Sequence, residues 1–140
     1  MKKIVSTKDA PAAVGPYSQA IRAGSFLFCA GQIPLDPQTG QIVSDDISAQ
    51  TKRVLENVSA VLRAENLSFG HVVKTTIFLT DIGDFQTVNE IYATYFRENP
   101  PARSTVQVSA LPKGAKVEIE VIAMANKGDE DHKTVSDTSG

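Results

Sequence analysis

Two charged residues late in the chain have the types and setting to do chemistry together. Arg103 stands in Pro100-Pro101-Ala102-Arg103-Ser104-Thr105-Val106, where two prolines end a helical stretch and a β-branched run begins. Rigid backbone there fixes where the guanidinium starts, and its planar fork can grip a carboxylate with two parallel hydrogen bonds. Such an arginine suits a small-anion site. In Lys116-Val117-Glu118-Ile119-Glu120-Val121 charged and apolar residues alternate, so Glu118 and Glu120 share one strand face and Val117, Ile119 and Val121 the other. A glutamate that could move a proton and an arginine that could hold an acid therefore lie on two strands close in sequence. The plainer alternatives are a structural ion pair from Arg103 to Glu118 or Glu120, and a solvated carboxylate face.

Other reactive side chains carry less. Cys29 lies in the apolar run Phe26-Leu27-Phe28-Cys29-Ala30 with no histidine near it in sequence, which favours packing over nucleophilic chemistry. His71 and His132 with one cysteine fit no zinc or carboxylate-triad spacing, so no metal is expected. Gly24, Gly31 and Gly40 lack the phosphate-loop spacing and suit turns or close backbone approach. Tyr17, after Gly15-Pro16, suits a turn residue that packs its ring.

The elements that must position these groups follow from periodicity and turn chemistry. Lys3 to Thr7 reads as a short strand, followed by a proline-punctuated loop through Pro11 and Gly15-Pro16-Tyr17-Ser18. Strands Gln19 to Ala23 and Phe26 to Ala30 are separated by Gly24-Ser25, the spacing of a tight hairpin. Asp36-Pro37-Gln38-Thr39-Gly40 is a turn. From Ile47 to Ala64 the positions Ile47, Val54, Leu55, Val58, Val61 and Leu62 recur at helical spacing, with Lys52, Arg53, Glu56 and Asn57 toward water, Asp45 and Asp46 at the start and Asn66 as a left-handed stop. A strand Val72 to Leu79 follows. A second helix runs from about Asp84 to Arg97, with Phe85, Val88, Tyr92, Tyr95 and Phe96 for its buried side. Strands Arg103 to Val108 and Lys116 to Ala125, joined through Leu111-Pro112-Lys113-Gly114, complete the order β-β-β-α-β-α-β-β, an α+β layer of one sheet and two helices. Two helices cover one sheet face. The other would carry Ile122 and Met124 beside the glutamates, a mixed surface that points to a homo-oligomer closed on the open face.

At 140 residues the chain is expected to form a single domain over 1–125, with a polar and flexible tail over 126–140. The net charge of −2, basic runs no longer than Lys2-Lys3 and Lys52-Arg53, and the absence of tryptophan argue against a nucleic-acid binder. One cysteine gives no internal disulfide, and no stretch resembles a signal peptide or a membrane span, so a cytoplasmic location is the default.

The motifs, taken in order, closely resemble the RidA family, also called YjgF, of small imine deaminases. The resemblance rests on Ala10-Pro11-Ala12-Ala13-Val14-Gly15-Pro16-Tyr17-Ser18-Gln19-Ala20, Gly31-Gln32-Ile33-Pro34-Leu35-Asp36-Pro37 with Thr39-Gly40, and Gln50 through Leu55-Glu56-Asn57-Val58. It continues in Val73-Lys74-Thr75-Thr76-Ile77-Phe78, Asp84-Phe85 with Val88-Asn89, Pro101-Ala102-Arg103-Ser104, and Leu111-Pro112 followed by Val117-Glu118-Ile119-Glu120. It implies a chorismate-mutase-like homotrimer with clefts between subunits and cofactor-free hydrolysis of enamine and imine acids to 2-oxo acids and ammonia. The substrates would be 2-aminoacrylate with 2-iminopropanoate and 2-aminocrotonate with 2-iminobutanoate. On this resemblance Arg103 would hold the substrate carboxylate and Glu118 the attacking water. Backbone groups from Cys29 through Ala30 to Gly31 would line the pocket, Tyr17 would close it, and Asn89 and Thr105 would complete the lining.

The chain departs from some well-known members, which carry serine at the position of Ala30 and cysteine at that of Thr105. Activity is expected to survive, since Arg103 and Glu118 remain. Two other function classes stand beside the deaminase: an endoribonuclease or translation-inhibiting RNA binder, an activity also attributed to members of the family, and a non-catalytic trimer that binds small carboxylates.

Overall fold

The computed structural model describes residues 1–126, so the expected tail over 126–140 lies almost wholly outside the described residues. Six strands, β1 (Lys2–Val5), β2 (Ala20–Ala23), β3 (Phe26–Gln32), β4 (Val72–Leu79), β5 (Ala102–Gln107) and β6 (Val117–Met124), form one sheet in the order β1-β2-β3-β6-β4-β5. All neighbours are antiparallel except β4 and β5, which run parallel across the intervening helix. Two helices, α1 (Ile47–Arg63) and α2 (Phe85–Tyr95), pack against each other, and α1 lies over β3 and β6. The expected element order holds.

Local chemistry explains the boundaries. Asp46 caps α1 by accepting from the Ala49 N–H at 2.8 Å, and the chain leaves it through Asn66 at φ 60°. Gly24 turns the β2–β3 hairpin at φ 60°, where a side chain would be strained. Asp36 holds the Gln38 and Thr39 N–H groups, and Gly40 closes that turn at φ 72°.

One face of the sheet makes the core. Val117, Ile119, Val121 and Ala123 of β6 pack with Thr75, Ile77 and Leu79 of β4 beneath Val54, Leu55, Val58, Val61 and Leu62 of α1. Asn57 corrects the sequence reading. It is fully buried rather than facing water, and its Nδ2 donates to the carbonyls of Ile33 (3.2 Å) and Leu35 (3.0 Å). Helical spacing places Asn57 beside the apolar stripe, and two acceptors offset its desolvation, so it clamps the loop after β3 to α1.

The opposite face carries no helix. It exposes Phe26, Phe28, Val73, Val106 and Met124, 39% to 44% accessible, around Lys74, Thr76, Ser104 and Glu120. Among the described residues no helix is long and apolar enough to cross a membrane.

Candidate active site

Arg103 does not make the ion pair that was its plainer alternative: among the described residues both salt bridges belong to Glu65, with Lys3 and Arg22. It sits on edge strand β5, where its Cα partner on β4 is Thr75. Thr75 is fully buried on the helix side, so Arg103 points to the helix side too. There its Nη1 donates to Asn89 Oδ1 at 2.8 Å, and its Cζ lies 4.9 Å from the Tyr92 ring centroid and 5.4 Å from that of Phe85. Phe85, Asn89 and Tyr92 are spaced i, i+4, i+7, a single stripe of α2. Nε and Nη2 make no hydrogen bond among the described residues, which leaves a guanidinium edge with two donors free for a carboxylate.

Thr105 is two residues further on β5 and therefore on the same face as Arg103. Its Oγ1 is buried without a hydrogen-bond partner, alone in this respect among the described side chains. A buried hydroxyl left unpaired costs about 1–3 kcal/mol. Thr105, Asn89 and Arg103 thus form one polar group at the sheet edge.

Glu118 lies elsewhere. Its partner on β4 is Phe78, three residues from Thr75, and an odd separation puts it on the opposite face from Arg103. Between Cys29 and Gln32 strand β3 carries one residue more than β6 spends between Val121 and Ile119, a bulge at Ala30-Gly31. The bulge lets Glu118 settle on Gly31: a Cβ there would lie 2.8 Å from Glu118 Cδ. Half-buried in this slot, Glu118 has its carboxyl pushed above the usual glutamate range, first by burial and then by the like charge of Glu120. Glu120 itself is exposed, which separates the two glutamates that alternation alone leaves equivalent.

Tyr17 belongs to the loop before β2 and is 54% exposed. Buried Gln19 fixes that loop: its Nε2 donates to the carbonyls of Thr7, Ala10 and Pro11, and its Oε1 accepts from the Thr7 N–H. The Gln19 carbonyl accepts from the Ala30 N–H at 2.9 Å, so Tyr17, two residues earlier, stands at the same end of the sheet as Gly31. Cys29 points into the core, with its thiol pushed up to about 12 by burial, so it offers a pocket only its backbone.

One chain therefore carries two separate groups: Arg103, Asn89 and Thr105 on the helix side at the β5 edge, and Glu118, Ala30 and Gly31 on the bulge, with Tyr17 nearby. The sequence reading treated Arg103 and Glu118 as a pair, and the fold sets them on opposite faces with β4 between them. Two concave regions lie elsewhere. One of about 240 Å³ is lined by Phe28, Lys74, Thr76, Glu120 and Ile122, and one of about 530 Å³ by residues including Val5, Tyr17 and Gln19. Neither of these two is lined by Arg103 or Glu118. Among the described residues no three His, Cys, Asp or Glu side chains converge as a metal site.

Sequence reasoning missed Phe85, Tyr92 and Thr75 as neighbours of Arg103. The available signal was the polar Asn89 inside the apolar stripe of α2.

Comparison with known proteins places these features in context. Residues 7–125 match the family described as Endoribonuclease L-PSP. The chain is 50% identical over 127 residues to the 2-iminobutanoate/2-iminopropanoate deaminase of Salmonella typhimurium, covering 89% of this chain and 98% of that protein. It is 48% identical over 124 residues to the human protein of the same name, covering 89% and 90%. Among solved structures it resembles E. coli TdcF with bound serine, with a TM-score of 0.85, 48% identity, and coverage of 89% of this chain and 99% of that one.

Proposed function

The chain belongs to the L-PSP family, which is the RidA or YjgF family, and from that premise we propose that it hydrolyses enamine and imine acids to 2-oxo acids and ammonia. The substrates are 2-aminoacrylate with 2-iminopropanoate and 2-aminocrotonate with 2-iminobutanoate, as the names of the Salmonella and human relatives suggest. Residues 1–125 form a single domain, at work in the cytosol. The observation that carries the reading is a free two-donor arginine edge together with a half-buried glutamate seated on Gly31, a carboxylate anchor and a base of the kind that hydrolysis of a small imino acid can use.

The substrate carboxylate takes the Nε and Nη2 edge of Arg103, fixing C2. Glu118 accepts a proton from water as the water oxygen bonds to C2 and the C=N π electrons move to nitrogen. The protonated Glu118 then returns the proton to that nitrogen, and the C–N bond breaks to release ammonia as the C2 hydroxyl gives its proton to the Glu118 carboxylate and becomes the carbonyl. Burial and then the charge of Glu120 hold the Glu118 carboxyl above the usual glutamate range, which makes the carboxylate a stronger base toward water. No cofactor is required, because a protonated imine is already electrophilic. Backbone groups of Ala30 and Gly31 line the reacting end, Tyr17 covers it, and Asn89 and Thr105 flank the carboxylate.

The assembly is a homotrimer in which Arg103 of one subunit faces Glu118 of the next. Two features support it: the groups that must meet lie on opposite faces of one sheet, and the helix-free face exposes Phe26, Phe28, Val106 and Met124.

The test is release of 2-oxobutanoate from 2-aminocrotonate generated in situ by a threonine dehydratase. Wild type should accelerate it, and Arg103→Ala should not while keeping the native oligomer. Equal acceleration by Arg103→Ala removes the carboxylate anchor. No acceleration by wild type shifts weight to small-acid binding, or to RNA cleavage if nuclease-free protein cuts RNA.

A further inference from the structure

We propose that Tyr92, braced by Thr75 and accompanied by Phe85, is a positioning residue that presents the Arg103 guanidinium to the substrate carboxylate. The inference rests on the role given to Arg103 above. It concerns what holds that side chain in the free protein.

A free arginine loses considerable side-chain entropy on gripping a ligand, so an arginine already held in its binding geometry binds more tightly. The obvious holding partner, a carboxylate, would compete with the substrate for the same donors. Here the guanidinium lies against two aromatic rings, at 4.9 Å from Tyr92 and 5.4 Å from Phe85. Ring faces attract the cation without neutralising it and without consuming N–H groups. Asn89 takes one Nη1 hydrogen, which fixes rotation in the guanidinium plane.

The Tyr92 ring is itself fixed. Its hydroxyl shares a 2.8 Å buried hydrogen bond with Thr75 Oγ1, and Phe96 stacks on it at 4.4 Å with 29° between the planes. Phe96 in turn meets Phe69 edge-on at 5.0 Å. Thr75 is also the β4 residue in register with Arg103. The same threonine therefore aligns the arginine backbone and the ring under its head group, closing a circuit Arg103, Thr75, Tyr92, Arg103. A tyrosine needed only to fill the core would have no reason to bring a hydroxyl to that depth unless the hydroxyl had a task.

The experiment measures binding of 2-oxobutanoate and its neutral isostere 2-oxobutanamide by calorimetry, in wild type, Arg103→Ala, Tyr92→Phe, Tyr92→Leu and Phe85→Leu. Wild type should prefer the acid and Arg103→Ala should not; absence of that preference in wild type overturns the role of Arg103 and this inference together. Given the preference, Tyr92→Leu should weaken the acid by about tenfold and leave the amide unchanged, with kcat/KM falling mainly through KM. Tyr92→Phe, which keeps the ring, should lose about threefold or less. Unchanged discrimination in Tyr92→Leu, or parallel loss of both ligands, overturns the positioning role while leaving the deaminase intact. Should Tyr92→Leu not fold, half-buried Phe85→Leu carries the decision: about a threefold loss for the acid alone supports the clamp, and wild-type discrimination refutes it.

Discussion

Gly31 and Glu118 share one space: a Cβ on Gly31 would fall 2.8 Å from Glu118 Cδ and 3.1 Å from its Cγ, and would overlap carboxylate Oε2. Real Cβ atoms do not approach that closely, so the glutamate holds its position because residue 31 has no side chain. No positive φ is involved at Gly31; the requirement is one of contact. The β3 bulge that delivers Gly31 to this point and the alternation that aims Glu118 at it are two halves of one device.

Gly31→Ala should therefore displace the carboxylate while the fold survives. Displacement of a reacting group by about 1 Å costs on the order of 100-fold in rate. We expect kcat/KM to fall by about that factor with an unchanged oligomer and a similar unfolding temperature. Steady-state kinetics beside thermal unfolding decides it, and wild-type turnover would mean that Glu118 does not need this slot.

The acidity of Glu118 sets a pH dependence. In the proposed mechanism its carboxylate must be ionised to accept a proton from water, so kcat/KM should drop as pH falls through its pKa, which burial and then Glu120 hold above the usual value. Glu120→Gln removes the second cause. The acid limb of the profile should then move to lower pH while burial keeps it above an ordinary glutamate. A limb that does not move would mean that Glu118 is not the titrating group, or that Glu120 does not act on it.

The same shift has a stability consequence. Glu118 binds its proton more tightly in the folded chain than in the unfolded one, so stability is lost as pH rises from the ordinary glutamate range through the folded-state pKa. Below the unfolded value both states are protonated and the penalty vanishes. Glu118→Gln should abolish turnover yet unfold at a higher temperature than wild type at pH 8, with the difference closing toward pH 4. Thermal unfolding across that range tests it; a variant less stable at pH 8 would show that Glu118 makes net favourable contacts there.

The order of elements was legible because the signals were strong and local: strict alternation of charged and apolar residues from Lys116 to Val121, a capping aspartate at Asp46, and glycine or asparagine at the turns. What stayed hidden depended on register. Periodicity within a strand says that Glu118 and Glu120 share a face, but the relation between Glu118 and Arg103 is set by β4, through Phe78 on one side and Thr75 on the other. No pattern within β5 or β6 encodes that odd separation. Asn57 and Gln19 escaped for a related reason: each is a polar residue whose burial is decided by carbonyls at least eight residues away in the chain. The grouping of Arg103 with α2 was partly readable, since Phe85, Asn89 and Tyr92 make one stripe, but which strand meets that stripe is a tertiary fact.

The placement of Arg103 and Glu118 on opposite faces of one sheet gives the sharpest test of the proposed assembly. If each cleft takes Arg103 from one subunit and Glu118 from its neighbour, Arg103→Ala and Glu118→Gln chains are each inactive alone but complement one another. In trimers assembled at random from equal amounts, a site is intact only when an arginine-bearing subunit meets a glutamate-bearing one in the right order, about one site in four. Co-expressed variants carrying different affinity tags and purified through both are mixed trimers only, each with one intact site in about three, and should recover about a third of the wild-type turnover per site, with the intact sites keeping the wild-type KM. Separately purified variants mixed without exchange of subunits should stay inactive. Failure of the co-assembled protein to recover any activity would mean that both residues serve the same chain's site, and would require Arg103 to leave Asn89 and the α2 rings and cross the sheet edge to reach Glu118.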